Sequence, residues 1–245
     1  RLGAITLTTT PGPPPGPTAV AEAVVARVRA EGADAGLAAL PWDEEALGLR
    51  ARLALLHEHL GEPWPDMSDA ALAERAEEWL APAVTSLAGQ AGGSNGASEQ
   101  GGSASGSGSR RFNLERLDVA QALRALLPWP QAARLEELVP ERIEVPSGSQ
   151  VRVDYTAAVG AAGSAAPVDP AEAGRTGRPV LAVRVQECFG WAATPRIVEG
   201  RVPVLLHLLS PARRPVAVTD DLASFWEQGY PQVRAEMRGR YPKHA

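Results

Sequence analysis

The sequence predicts an α+β fold: an N-terminal helical region, then a mixed, mostly antiparallel sheet, closed by a long C-terminal helix. Three observations predict it. Apolar residues recur at three- and four-residue spacing over much of 18–140. From 141 the spacing changes to strict alternation, in Ile143-Glu144-Val145 and in Val151-Arg152-Val153-Asp154-Tyr155. From 220 an acidic start, the aromatic pair Phe225 and Trp226, and a basic end outline one more helix.

Residues 1–10 alternate small or apolar residues with Thr and suit a strand left from a preceding domain. The chain opens on Arg1 without Met, which with that strand predicts a piece of a longer polypeptide. The Pro-rich run from Pro11 to Pro17 cannot continue a strand or start a long helix and reads as a connector. A helical domain is expected over 18–140. Thr18 is its first candidate cap; Val20, Val24, Val25 and Val28 form a stripe that Gly32 ends. Asp43 caps the next helix, with Glu44 and Glu45 in the favourable first turn and a Trp42–Leu47 staple across the start. That helix runs through Leu49, Leu53, Leu56 and Leu60 to Gly61. Ser68 caps a third helix with Leu72, Ala76, Trp79 and Leu80 on one face, and Pro82 ends or kinks it. Residues 89–109 are nearly all Gly, Ser, Ala, Asn and Gln, with nothing to bury, and predict a disordered insertion. Asp118 caps a helix that buries Leu123, Leu126 and Leu127; a short one follows Pro128-Trp129-Pro130, with Leu135 and Leu138 inward. About five helices are expected in this part.

The rest, 141–245, is expected to be an α+β domain with a flexible loop at 157–177. Pro146 to Ser149 turns the first strand pair. Val180 to Val185 is a strand running into a helical turn near Gln186 to Phe189. Glu199-Gly200-Arg201 marks a hairpin. Leu205, Leu206, Leu208 and Leu209 hardly alternate, so their strand is central and covered on both faces. Val216 to Val218 is the last strand, and Thr219 or Asp220 starts the final helix, anchored by Phe225 and Trp226.

Charge is unevenly spread. The net charge is -5, yet Pro195 to Ala245 holds eight Arg or Lys and five Asp or Glu. The balance argues against a generic nucleic-acid coat, and the two ends are electrostatically different. Lys243 is the sole lysine; 23 of the 24 cations are Arg, whose planar fork matches phosphate and carboxylate, though genomic base composition, which also accounts for the abundant Ala, Gly and Pro, is the first reading of that excess. The one cysteine, Cys188, lies among apolar neighbours and reads as a small core residue; a chain without disulfides fits the cytoplasm. No apolar run is long enough to span a membrane. His57 and His59, two apart on a helix, face different sides and suit solvent better than a metal, and His207 in a strand reads as structural. Asp43-Glu44-Glu45-Ala46 begins a helix and has no phosphate loop beside it, so it is not a nucleotide-hydrolysis motif. The residues contain no catalytic constellation and call for no cofactor.

Longer motifs carry a resemblance. Pro146-Ser147-Gly148-Ser149, Val180 to Glu187, Thr194-Pro195-Arg196-Ile197, Val202 to Pro211 and the closing Arg238-Gly239-Arg240-Tyr241-Pro242-Lys243-His244 resemble the C-terminal region of the bacterial HrpB helicases, of the DEAH-box type. Leu-Pro-Trp at 40–42 and at 127–129, and Trp79-Leu80-Ala81-Pro82, are similar to the same family. The resemblance spans nearly the whole chain apart from the two low-complexity loops. It implies an ATP-dependent RNA helicase whose two motor domains, with their ATP and Mg, precede this region. The chain has no G-x-x-x-x-G-K-[ST] loop, so it is expected to be the non-catalytic part.

Two functions are then expected to compete. The first is contact with single-stranded RNA, or positioning of the parent's own helicase core, through Arg213, Arg214, Arg238, Arg240, Tyr241, Lys243 and His244. Arg and Lys would neutralise phosphates, and Tyr241 could stack on a base. The same residues at a helix C-terminus also simply offset its dipole. The second is a protein–protein interaction module without RNA contact, to which the acidic helical part is suited.

Overall fold

The computed structural model describes residues 15–92, 112–156 and 178–240, with side chains at 32–34, 92 and 236–240 left aside. The predicted strand at 1–10, the stretch 93–109 of the predicted insertion and the predicted loop at 157–177 lie outside the described residues.

The helical part contains α1 (Pro17–Ala30), α2 (Gly32–Ala38), α3 (Glu44–Leu60), α4 (Asp69–Glu74), α5 (Ala76–Gly92), α6 (Val119–Arg124) and α7 (Trp129–Leu138). Polar side chains cap three of them as the sequence predicts. Asp43 accepts from the Ala46 amide at 2.8 Å, Ser68 from that of Ala71 at 3.3 Å, and Asp118 from that of Gln121 at 2.7 Å. Each satisfies one donor that the first helical turn otherwise leaves orphaned.

Several boundaries differ from expectation. Thr18 is not a cap: Gly16 holds that place and Pro17 opens α1, where its missing N–H costs nothing. Gly32 does not stop the helical path but begins α2. That seven-residue helix lies hard against α1, because a Cβ on Gly36 would sit 2.5 Å from the Val28 carbonyl oxygen. Leu47 stays 42% exposed, so it does not staple Trp42. The ring of Trp42 instead lies 6.5 Å from that of Trp79 and donates to the Leu37 carbonyl. Pro82 sits inside α5 without ending it, and the helix continues to Gly92, into the stretch read as loop from 89. Trp79, Leu80 and Val84, all 0% exposed, pin α5 on both sides of the proline, and that packing outweighs the one bond Pro82 removes.

The strands are β1 (Arg142–Glu144), β2 (Gln150–Asp154), β3 (Val180–Arg184), β4 (Arg196–Ile197), β5 (Val202–Pro203), β6 (Leu205–Leu209) and β7 (Pro215–Thr219). Five of them form one sheet in the order β1-β2-β3-β6-β7, and β4 pairs with β5 alone. Every pair is antiparallel except β3 with β6. The mixed, mostly antiparallel sheet and the C-terminal helix therefore match the expected α+β architecture. β6 lies between β3 and β7, with Leu205, Leu206 and Leu208 buried, as its unbroken apolar run requires.

One buried cluster runs from α1 through the sheet to the last helix. Polar bonds bolt the two parts together across it. Arg52 of α3, only 3% exposed, donates Nε to the Val139 carbonyl at 2.7 Å and its other nitrogens to Glu136 at 2.5 Å and Glu141 at 3.1 Å. Arg201 donates to the carbonyl of His59, and the Val198 amide to that of Leu138. The β4–β5 hairpin is thus held on the ends of α3 and α7.

Candidate nucleic-acid interface

The turn between β6 and β7 carries the first predicted pair. Ser210, 2% exposed, organises it: its amide donates to the Arg214 carbonyl at 2.8 Å, its carbonyl accepts from the Arg213 amide at 2.8 Å, and its Oγ accepts from the Arg214 amide at 3.1 Å. Arg213 is held at φ 59, a left-handed conformation that costs a non-glycine residue about 1–2 kcal/mol. Both arginine side chains stand exposed, and among the described residues neither has a carboxylate partner. The backbone is clamped while the guanidinium groups are free.

The C-terminal helix carries the rest. It starts at α8 (Leu222–Ser224) under an Asp221 cap, one residue after the predicted Thr219 or Asp220. Asp220 itself pairs with Arg178. A π-helical turn, Phe225–Gly229, leads into α9 (Tyr230–Arg240). Pro231 is the second residue of α9, directly after the π turn, and does not interrupt the helical path. Gly229 makes the wide turn possible: a Cβ there would meet Phe225 Cδ2 at 2.8 Å.

The extra residue of the π turn gathers rings that sequence reasoning did not place together. Trp226 lies 5.2 Å from Phe225, 5.3 Å from Tyr230 and 5.7 Å from Phe189, centroid to centroid. Phe189 meets Tyr230 edge-on at 5.7 Å, and Phe189 is 47% exposed. The Trp226 indole donates to the Trp191 carbonyl at 2.8 Å, which fixes the platform to the β3–β4 connection. A signal did exist: five of twelve aromatic residues fall at 189, 191, 225, 226 and 230. Arg234, one helical turn past Tyr230, is exposed and has no carboxylate partner among the described residues.

Arg238 and Arg240 lie in the last turns of α9 by backbone; Tyr241, Lys243 and His244 are outside the described residues. The Arg213–Arg214 turn joins β6 to β7, and the aromatic platform follows β7 in the chain and is tied to the β3–β4 connection. Among the described residues no hydrogen bond, ion pair or ring contact joins Arg213 or Arg214 to the aromatic platform.

Other chemistry-bearing groups have ordinary roles. Cys188 is buried, and desolvation, helped by Glu187, pushes its thiol up to about 12; it is no nucleophile at neutral pH. His57 Nδ1 lies 2.7 Å from the Trp64 carbonyl, a structural bond. A cleft of about 330 Å³ between α3 and β2 holds Arg52, Arg142 and Arg152. Those charges are spent there: Arg152 pairs with Glu44, and Arg142 donates to the Gln150 carbonyl. Among the described residues no helix is long and apolar enough to cross a membrane.

Comparison with known proteins adds a family. The profile of the ATP-dependent helicase C-terminal family, HrpB_C, matches residues 104–245. The ATP-dependent RNA helicase HrpB of Escherichia coli strain K12 is 35% identical over all 245 residues of this chain, which span 25% of that protein. A crystal structure of the E. coli DExH-box NTPase HrpB superposes with a TM-score of 0.70 at 34% identity. One of the E. coli DEAH/RHA helicase HrpB gives 0.65 at 32% identity. Each covers all of this chain, and this chain covers 25% and 26% of them. The chain thus spans about a quarter of the length of the relatives it matches.

Proposed function

Because the chain belongs to the HrpB ATP-dependent helicase C-terminal family, we propose that it is the non-catalytic region of an RNA helicase and contacts single-stranded RNA through the β6–β7 turn and the aromatic platform of its last helix. Arg213 and Arg214 would neutralise phosphates. The Phe189–Trp226–Tyr230 platform would stack bases, with Arg234 and the C-terminal basic residues following it on the helix. ATP and Mg would act in the motor portion that lies outside the matched region.

The observation that carries this reading is the state of Arg213 and Arg214: exposed, on a clamped turn, and without carboxylate partners among the described residues. Arg52, by contrast, is buried and held by two carboxylates.

The test is a titration with a single-stranded RNA oligonucleotide at several salt concentrations. Affinity is expected to fall steeply with salt. Arg213→Ala with Arg214→Ala should flatten the slope by about 1.4, two phosphate contacts at ~0.7 each. Arg238→Ala with Arg240→Ala should act in the same direction. No binding at low salt would sink the proposal for this region.

A further inference from the structure

Pro146-Ser147-Gly148-Ser149, a motif the sequence singles out, has no part in the site described so far. Strand direction gives it one. β3 and β6 run parallel and end together, with Arg184 beside Leu209. The β6–β7 turn with Arg213 and Arg214 leaves from that end. So does the 3-10 turn Val185–Cys188 that leads to Phe189. β2 is antiparallel to β3, so its first residue, Gln150, lies at the same end, and the β1–β2 turn lies there with it. A separate contact agrees: a Cβ on Gly190 would sit 3.3 Å from the Pro146 Cβ. Gly190, at φ 110, passes close under that turn, and its neighbour Phe189 belongs to the aromatic platform.

Three loops therefore share one end of a rigid sheet, an arrangement that suits a binding surface. Arg184 is half-buried, on the face away from buried Leu181 and Val183. Among the described residues it has no carboxylate partner. Two carboxylates at this end are already engaged: Glu187 accepts from the Arg184 amide at 3.2 Å, and Glu144 from the Gln150 side chain at 3.1 Å. Ser147 and Ser149 stand exposed with their Oγ atoms 3.3 Å apart. Their turn is closed by the Val145 amide on the Ser149 carbonyl and the Gly148 amide on the Val145 carbonyl. A serine hydroxyl both donates and accepts, as the 2′-hydroxyl of ribose does.

The order β1-β2-β3-β6-β7 puts about three strand spacings, ~14 Å, between the serine turn and the arginine turn. Arg184 ends a strand between them. The shortest single-strand sites, about four nucleotides, cover such a span.

We infer that single-stranded RNA crosses this end of the sheet, with Arg184 as a third phosphate contact and with Ser147 and Ser149 on the ribose hydroxyls. This rests on the RNA reading above and gives that site a path and a preference for RNA over DNA.

The test is titration of this chain with a single-stranded RNA and with the DNA of the same sequence, at several salt concentrations. Arg184→Ala should flatten the salt slope by about 0.7, one phosphate contact, and Arg184→Lys should keep the slope. Arg116→Ala, which removes an exposed arginine of the helical part, should leave it unchanged. Ser147→Ala with Ser149→Ala should weaken RNA roughly fivefold, leave DNA affinity and the salt slope alone, and so erase the difference between the two. An Arg184→Ala slope equal to the parent's, or a loss no larger than that of Arg116→Ala, overturns the inference. So does equal affinity of the parent chain for RNA and DNA, or a preference for RNA that survives both serine substitutions. RNA binding that depends on Arg213 and Arg214 but not on Arg184 sinks this path alone; no RNA binding at low salt sinks the earlier reading with it.

Discussion

The arginines of the helical part and those of the C-terminal part live differently. In the helical part, every described arginine but Arg116 meets a carboxylate: Arg27 with Glu31, Arg29 with Glu77, Arg50 with Asp69, Arg52 with Glu136 and Glu141, Arg75 with Glu78, Arg124 with Glu45, and Arg134 with Glu199. In the C-terminal part Arg152 and Arg178 are paired, Arg142 and Arg196 bond backbone carbonyls, and among the described residues Arg184, Arg213, Arg214 and Arg234 have no acidic partner, the last three of them exposed. Composition alone would treat all of them as equal. The difference is that one set has been consumed by the fold and the other is available to an anion.

That contrast can be broken by experiment, first on the consumed side. Trp79→Ala should cost about 4 kcal/mol, since it empties a fully buried site and strands the Leu72 carbonyl that its indole N–H satisfies at 3.0 Å. Chemical denaturation would measure it. Arg52→Ala should cost about 2–3 kcal/mol through the buried Val139 carbonyl it abandons. Arg52→Lys should recover only part, because an ammonium cannot span three acceptors as the fork does. If Arg52→Ala left stability unchanged, the division between consumed and available cations would lose its meaning.

On the available side the signature reverses. Arg213→Ala with Arg214→Ala should lower RNA affinity roughly tenfold at moderate salt while changing stability by less than about 0.5 kcal/mol, as expected for exposed, unpaired groups. Arg213→Gly sharpens the test, because glycine relieves the positive φ while deleting the charge. It should bind RNA less well and be no less stable. Smaller effects belong to the caps. Asp43→Ala should cost about 1 kcal/mol by thermal denaturation. Smallest is Asp66. The Ser68 amide holds its carboxyl below the ordinary 3.8 against the opposing effect of burial, with the Ser68 hydroxyl and His57 helping. Its contribution is therefore present above pH 3.8 and is lost as pH falls through the lower folded value. Asp66→Asn should remove that part of the acid-side decline.

Much of this was legible from residue order. The caps at Asp43, Ser68 and Asp118 could be read because each acts within three residues of itself. The hairpin of β1 and β2 could be read because alternation is local, and the central place of β6 because its leucines leave no polar face. What escaped depends on distance in the chain. The helix α2 exists through contact with Val28, and α5 passes Pro82 because Trp79 and Val84 are buried around it. The parallel pairing of β3 with β6 has no local signature. The site divides the same way. Arg213 and Arg214 were visible as a basic turn, but their free state was not, since partners such as Glu45 and Arg124 lie 79 residues apart. The aromatic platform needed a π turn that no spacing announces.

The buried sulfur of Cys188 has a practical consequence. It is the sole thiol in this chain, and it sits in apolar surroundings with its proton held to about pH 12. Maleimide dyes and spin labels react with thiolates, so they should pass it by under native conditions. A cysteine introduced at an exposed position can then be tagged on the otherwise unaltered chain, giving site-specific optical or magnetic reporters without first engineering a thiol-free background.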